Sequence, residues 1–182
     1  MSSDATAQRV SEKIHLLEAL KPDYAYPLLP VVDIVKITDV EKQLKKNLPS
    51  EYRSFLLNVG NGDSNKGCGL LSLEETVSLL VKNDLFADPN EMFKAPARPD
   101  AFEFEAGLCG VLPISKEGTV FHLLIITGDE AGNIWTCDQS KSYLVPAIIN
   151  PILSFDVNEQ RYSFFSWYEA WLDYSLTRLQ QQ

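Results

Sequence analysis

The run Gly62-Asp63-Ser64-Asn65-Lys66-Gly67 has the G-x-x-x-x-G spacing of a phosphate-cradling loop. In such a loop the backbone N–H groups hold phosphates, a following lysine reaches them and a hydroxyl holds magnesium. Here Cys68 and Gly69 stand where the lysine and the hydroxyl are required. The run also leaves a helical pattern, whereas a phosphate loop leads from a strand into a helix. A calcium loop fails on similar grounds. Asp63, Asn65 and Glu74 fall at ligand spacing, but Gly67 occupies a ligand position and Cys68 replaces the sharp-turn glycine. The run is expected to be a helix stop, with Gly60 or Asn61 in the left-handed conformation, followed by a polar loop.

Other chemistry is sparse. His15 and His122 are the only histidines, and neither has a cysteine or second histidine at metal-ligand spacing. Cys68, Cys109 and Cys137 are odd in number and form no C-x-x-C, so they read as buried thiols of a reducing compartment. No G-x-S-x-G elbow is present. These absences lead us to expect no catalytic residues, no cofactor and no metal. Carboxylates are more numerous. Glu103 and Glu105 alternate with Phe102 and Phe104, giving either a solvated strand edge or an acidic rim. Asp129 and Glu130 lie in the turn TGDEAGN, where Gly128 and Gly132 are expected to supply the unusual dihedrals, and Asp138 follows one strand later. Trp135 and Tyr143 are aromatics beside them, readable as core or as interface anchors.

The elements that position these residues follow from periodicity. Val10, Ile14, Leu17 and Leu20 give a first helix ended by Pro22, and PDYAYPLLPVVD is too apolar to be a solvated linker, so it is expected to lie along the domain. Thr38 and Glu41 suggest a capping box, Pro49 suits the first turn of a helix bearing Tyr52, Phe55, Leu56 and Val59 inward, and Ser72 with Glu75 forms a second capping box. Residues 83–106 read as a long loop with partial strand. GVLPIS, TVFHLLIITG, GNIWTC and SYLVPAII then read as a mostly antiparallel meander whose second strand is apolar enough to be central and covered on both faces. The tail SFFSWYEAWL returns to helical spacing through Phe164, Trp167, Tyr168, Trp171 and Leu172, with Leu176 and Leu179 continuing it. Helices, then strands, then a closing helix make an α+β class.

Composition agrees with a globular chain. With 182 residues, 45% hydrophobic and 23% charged, it can bury roughly 70% of its unfolded surface in one domain without staples. The formal charge of −9 argues against direct nucleic-acid binding and suits a basic protein partner. No secretory leader and no membrane span is legible, so a cytoplasmic location is expected.

In order, LPSEYRSFLLNVGNG, GLLSLEET, GVLPISKEGTVFHLLIITGDEAGNIWTCDQS and SFFSWYEAWL resemble the SUKH superfamily, named for its similarity to the fungal Smi/Knr cell-wall-synthesis regulators. The resemblance is carried by Leu48, Pro49, Tyr52, Phe55 and Leu56, then Gly60 and Gly62, then Gly69, Leu70 and Leu73, then Gly128, Gly132 and Trp135, and last Phe164 and Trp167. It covers about residues 34–175 of a single domain spanning 1–182, with 1–33 an N-terminal helix and proline-rich extension. It implies a central, mostly antiparallel sheet packed with helices from both chain ends. It also implies a non-enzymatic protein-binding role: an immunity protein that neutralises a cognate, often nuclease, toxin, or alternatively a regulatory or scaffolding module. A basic toxin domain would meet the acidic residues Asp129, Glu130, Asp138, Glu103 and Glu105, with Trp135 and Tyr143 as anchors.

Overall fold

The computed structural model describes residues 3–20, 27–63, 69–96, 107–147 and 161–180. The chain is α+β. Helices α1 (Ser3–Leu20), α2 (Ile34–Leu44) and α3 (Ser50–Asn58) precede strand β1 (Gly69–Leu70) and helix α4 (Leu73–Lys82). Strands β2 (Val111–Glu117), β3 (Val120–Ile125), β4 (Ile134–Asp138) and β5 (Tyr143–Pro146) then lead to α5 (Phe164–Gln180).

The five strands form one antiparallel meander in the order β1-β2-β3-β4-β5. β3 is therefore central, and its apolar run is covered on both faces, as its composition suggests. Leu124 and Ile126 join a core with α1, α2, α3 and α5. Phe121, Leu123 and Ile125 face a second core closed by Leu85, Phe86, Phe93 and Leu108. Pro113 sits inside the interior strand β2, where a register shift between Pro113 and Ser115 removes the need for its N–H. Its carbonyl instead accepts the Thr76 hydroxyl at 2.7 Å, tying α4 to the sheet.

Several local expectations need correction. α2 begins four residues before Thr38, because Asp33 caps it by accepting the Val35 N–H at 2.7 Å. Thr38 is thus mid-helix and its hydroxyl donates to the Ile34 carbonyl, while Glu41 accepts the Leu48 N–H at 3.0 Å. Pro49 takes the cap position and Ser50 the first turn of α3. The left-handed residue after that helix is neither Gly60 nor Asn61 but Gly62, at φ 78°. The chain continues two residues beyond the helix because Asn61 bonds back to Leu29 before the reversal. The Ser72–Glu75 capping box is present with both reciprocal bonds.

The extension is not free of the domain. Residues 27–33 run against the α3 exit through Leu29 N–H to Gly62 and Val32 N–H to Leu56. Ala7, Val10, Ile14 and Leu17 of α1 enter the same core as Phe164, Phe165 and Tyr168 of α5. Leu20 and Trp171, expected inside, are exposed: Leu20 ends its helix, and Trp171 lies at the rim of the α5 stripe, stacked on Tyr168. Arg9 and Lys13 clamp Glu169 at the outer edge of the α1–α5 seam.

Candidate functional site

The β3–β4 turn is closed by backbone bonds from Gly132 to Ile125 (2.8 Å) and from Asn133 to Glu130 (3.0 Å), with Gly128 and Gly132 both at positive φ. That turn separates two adjacent carboxylates into different roles. Asp129 is exposed and makes no hydrogen bond or ion pair among the described residues. Glu130 is half-buried and accepts from Arg161 Nε (2.9 and 3.0 Å), Asn133 Nδ2 (3.0 Å) and Trp135 Nε1 (3.3 Å). Burial pushes its carboxyl up, but these three donors outweigh burial and hold it below its ordinary value. Arg161 also lies over the Trp135 ring, 5.6 Å from its centre, and Phe93 meets the ring edge-on at 5.1 Å. Trp135 is 3% exposed. In this conformation its indole is core, and its N–H organises the turn.

The second cluster lies at the other end of β4. Asp138 is buried and accepts from Ser140 Oγ (2.7 Å), Ser140 N–H (3.0 Å) and Thr119 Oγ1 (3.2 Å). The Ser140 hydroxyl bond is the main cause of its lowered pKa. Tyr143 is opposite Asp138 in the β4–β5 register and half-buried, which raises its hydroxyl pKa. Ile134 and Asp138 are four residues apart along an extended strand, so the two turns are separated by ~13 Å of β4. The named residues therefore do not converge on one site. Asp129, Glu130 and Trp135 gather at one end, Asp138 and Tyr143 at the other, and Glu103 and Glu105 lie outside the described residues.

Three features had weak or no sequence signals. Arg161, the partner of Glu130, is 31 residues away and only tertiary structure pairs them. His122 packs on Trp167 at 5.0 Å, opposite Ser115 and Thr136 in the sheet, and its Nδ1 is buried without a hydrogen bond among the described residues. Burial lowers its pKa to about 4, so the ring is neutral near pH 7. The outer face of α2 exposes Ile34 and Val35, which misplacing the cap at Thr38 concealed. Burial pushes the Cys137 thiol up to about 12, and Cys109 donates to Glu91 at 3.3 Å, so neither is poised as a thiolate. Among the described residues no group of three or more His, Cys, Asp or Glu could hold a metal ion, and no helix is long and apolar enough to cross a membrane.

No curated protein matches the chain. A family model, described as the SMI1 / KNR4 family (SUKH-1), matches residues 32–171. That span runs from Val32, one residue before the Asp33 cap of α2, through Trp171 of α5. It contains the whole sheet and the core aromatics Tyr52, Phe55, Phe164 and Trp167. By this match over most of its length, the chain belongs to the SMI1/KNR4 family (SUKH-1), a family of protein-interaction domains.

Proposed function

We infer that this chain is an immunity-type binding protein that recognises and neutralises a toxin domain with a basic surface. Family membership over residues 32–171 carries the reading, since it supports a protein-interaction domain and immunity proteins are frequent in the family. The net charge of −9 adds a physical reason. A nuclease presents cations to its substrate, and an acidic binder competes for them with electrostatically steered association. In this reading Asp129 is the steering carboxylate, because it is exposed and uncommitted, while Glu130 holds the turn that displays it. Tyr143 offers a part-exposed aromatic rim at the far turn. Asp138 and Trp135 act as supports rather than contacts.

The test is co-expression with the toxin encoded beside it. Rescue of growth and a stoichiometric complex on co-purification support the reading; no rescue and no complex reject it.

A further inference from the structure

Helix α2 has an outward side that is exposed surface away from the β3–β4 turn. Its inward residues are Ile37, Val40 and Leu44. On the opposite side Ile34, Val35, Thr38, Lys42 and Lys45 recur at helical spacing and form one outward stripe, ~16 Å long at 1.5 Å per residue. Its N-terminal end is apolar: Val31, Ile34 and Val35 are 51%, 45% and 65% exposed, a cluster of large aliphatics left in water. Its C-terminal end is cationic. Lys42, Lys45, Lys46, Thr38, Glu41 and Asn47 line an open recess of about 460 Å³.

The charges there are only partly cancelled. Lys42 meets Asp39 at 3.1 Å and the Lys45 charge acts on the Asp88 carboxylate at longer range, while neither Lys45 nor Lys46 forms an ion pair among the described residues. The carboxylate of Glu41 is taken up by the Leu48 N–H and by Arg53 at 3.4 Å. Lys45 also adopts a left-handed backbone (φ 53°), with its N–H on the Lys42 carbonyl, and the next N–H returns to Glu41. The two lysines therefore leave a backbone that hydrogen bonds hold in place, and an ordered backbone costs a partner less ordering than a mobile segment would.

We propose that the outward face of α2 is a docking surface for an acidic protein segment that carries an aliphatic or aromatic anchor. The anchor sits on Val31, Ile34 and Val35, and its carboxylates reach Lys42, Lys45 and Lys46. Charge complementarity selects this occupant. A long polyanion such as nucleic acid meets the repulsion of a chain at −9, while a short acidic peptide feels mainly the local lysines within a Debye length. The surface uses different residues from those of the toxin-binding reading and stands or falls separately from it.

The probe is a display library of randomised peptides about 12 residues long, enough to span the stripe in helical or extended form. It is selected on the full chain. Enriched peptides are expected to combine Asp or Glu with Leu, Ile or Phe. They should bind Lys45→Glu/Lys46→Glu and Val35→Asp at least ~10-fold more weakly, with thermal unfolding little changed, since Lys45 and Val35 are exposed and Lys46 is half-exposed. On the unmutated chain, the amide resonances moved by such a peptide should centre on residues 31–46. Enrichment of basic or uncharged sequences, undiminished binding to both variants, or resonance changes elsewhere overturns the proposal. So does binding of phosphatidylserine vesicles in place of peptide, or self-association abolished by Val35→Asp, since each assigns the face to another occupant.

Discussion

Glu51 on α3 accepts a hydrogen bond from the Phe165 backbone N–H at 2.9 Å, so one helix caps the first turn of another 114 residues away. The first N–H groups of α5 have no partner within their own helix, and an anion at that end also meets the positive pole of the helix dipole. The Phe164 and Phe165 side chains beside this contact are buried among the helices. Glu51→Ala is therefore expected to cost ~1 kcal/mol, with Glu51→Gln costing less because an acceptor remains. Urea unfolding with an unchanged slope checks this; equal stability of Glu51→Ala and the parent would mean water satisfies that N–H equally well.

Asp129 and Glu130 are neighbours with opposite expected phenotypes. Asp129→Lys reverses an exposed charge, unpaired among the described residues, and should change stability by no more than ~0.5 kcal/mol. It should slow association with a basic toxin at low salt, and the difference should shrink as salt is raised. Glu130→Lys leaves Arg161, Asn133 and Trp135 without their acceptor and should destabilise by ~2 kcal/mol or more. Stopped-flow association and thermal unfolding separate the two. An unchanged on-rate for Asp129→Lys removes the turn from the interface.

Acid should unfold the protein in two windows. His122 is held neutral in the fold, with its pKa lowered from 6.5 to about 4 by burial. Protonation therefore favours the unfolded chain, and stability is lost as pH falls from about 6.5 toward 4, on the order of a few kcal/mol at most. Glu169 acts lower. Hydrogen bonding from Arg9 is the leading cause that draws its carboxyl from 4.5 to about 2, so its contribution is present above 4.5 and disappears between there and 2. Replacing His122 by Phe should flatten the upper window and leave the lower one. A parent profile already flat between pH 4 and 6.5 would contradict the neutral buried ring.

Gly62 should be the least replaceable residue of the helix stop. At φ 78° a β-carbon would sit 2.5 Å from the Leu71 carbonyl carbon and 2.6 Å from the Ser72 nitrogen. Left-handed strain of ~1 to 2 kcal/mol then adds to a clash with backbone that cannot rotate away. Gly62→Ala is expected to lose at least ~2 kcal/mol in chemical denaturation. A neutral result would show that the β1 approach can relax.

Periodicity and turn chemistry made most of the fold legible. The meander, the central position of β3, the Ser72–Glu75 box and the Gly128–Gly132 turn rest on interactions within a few residues, where side-chain type dictates backbone geometry. The errors arose where a local signal had a competitor. Thr38-x-x-Glu41 has the letters of a cap, but Asp33 supplies a cap one turn earlier and Glu41 is drawn to Leu48 and Arg53. The site was less legible than the fold, since a carboxylate's role depends on which distant donors reach it.

The sequence by itself determined the class of the fold, the run of its strands and the residues that place it in its family. Those are properties of spacing, and spacing is written along the chain. Only the tertiary structure decided that Glu130 is committed to Arg161 while Asp129 is not, and that Asp138 lies at the opposite end of β4 from that turn. It also decided that Ile34 and Val35 of α2 stay exposed and that Lys42 and Lys45 line one recess. Exposure and pairing depend on which elements pack together, and packing joins residues that the chain keeps far apart.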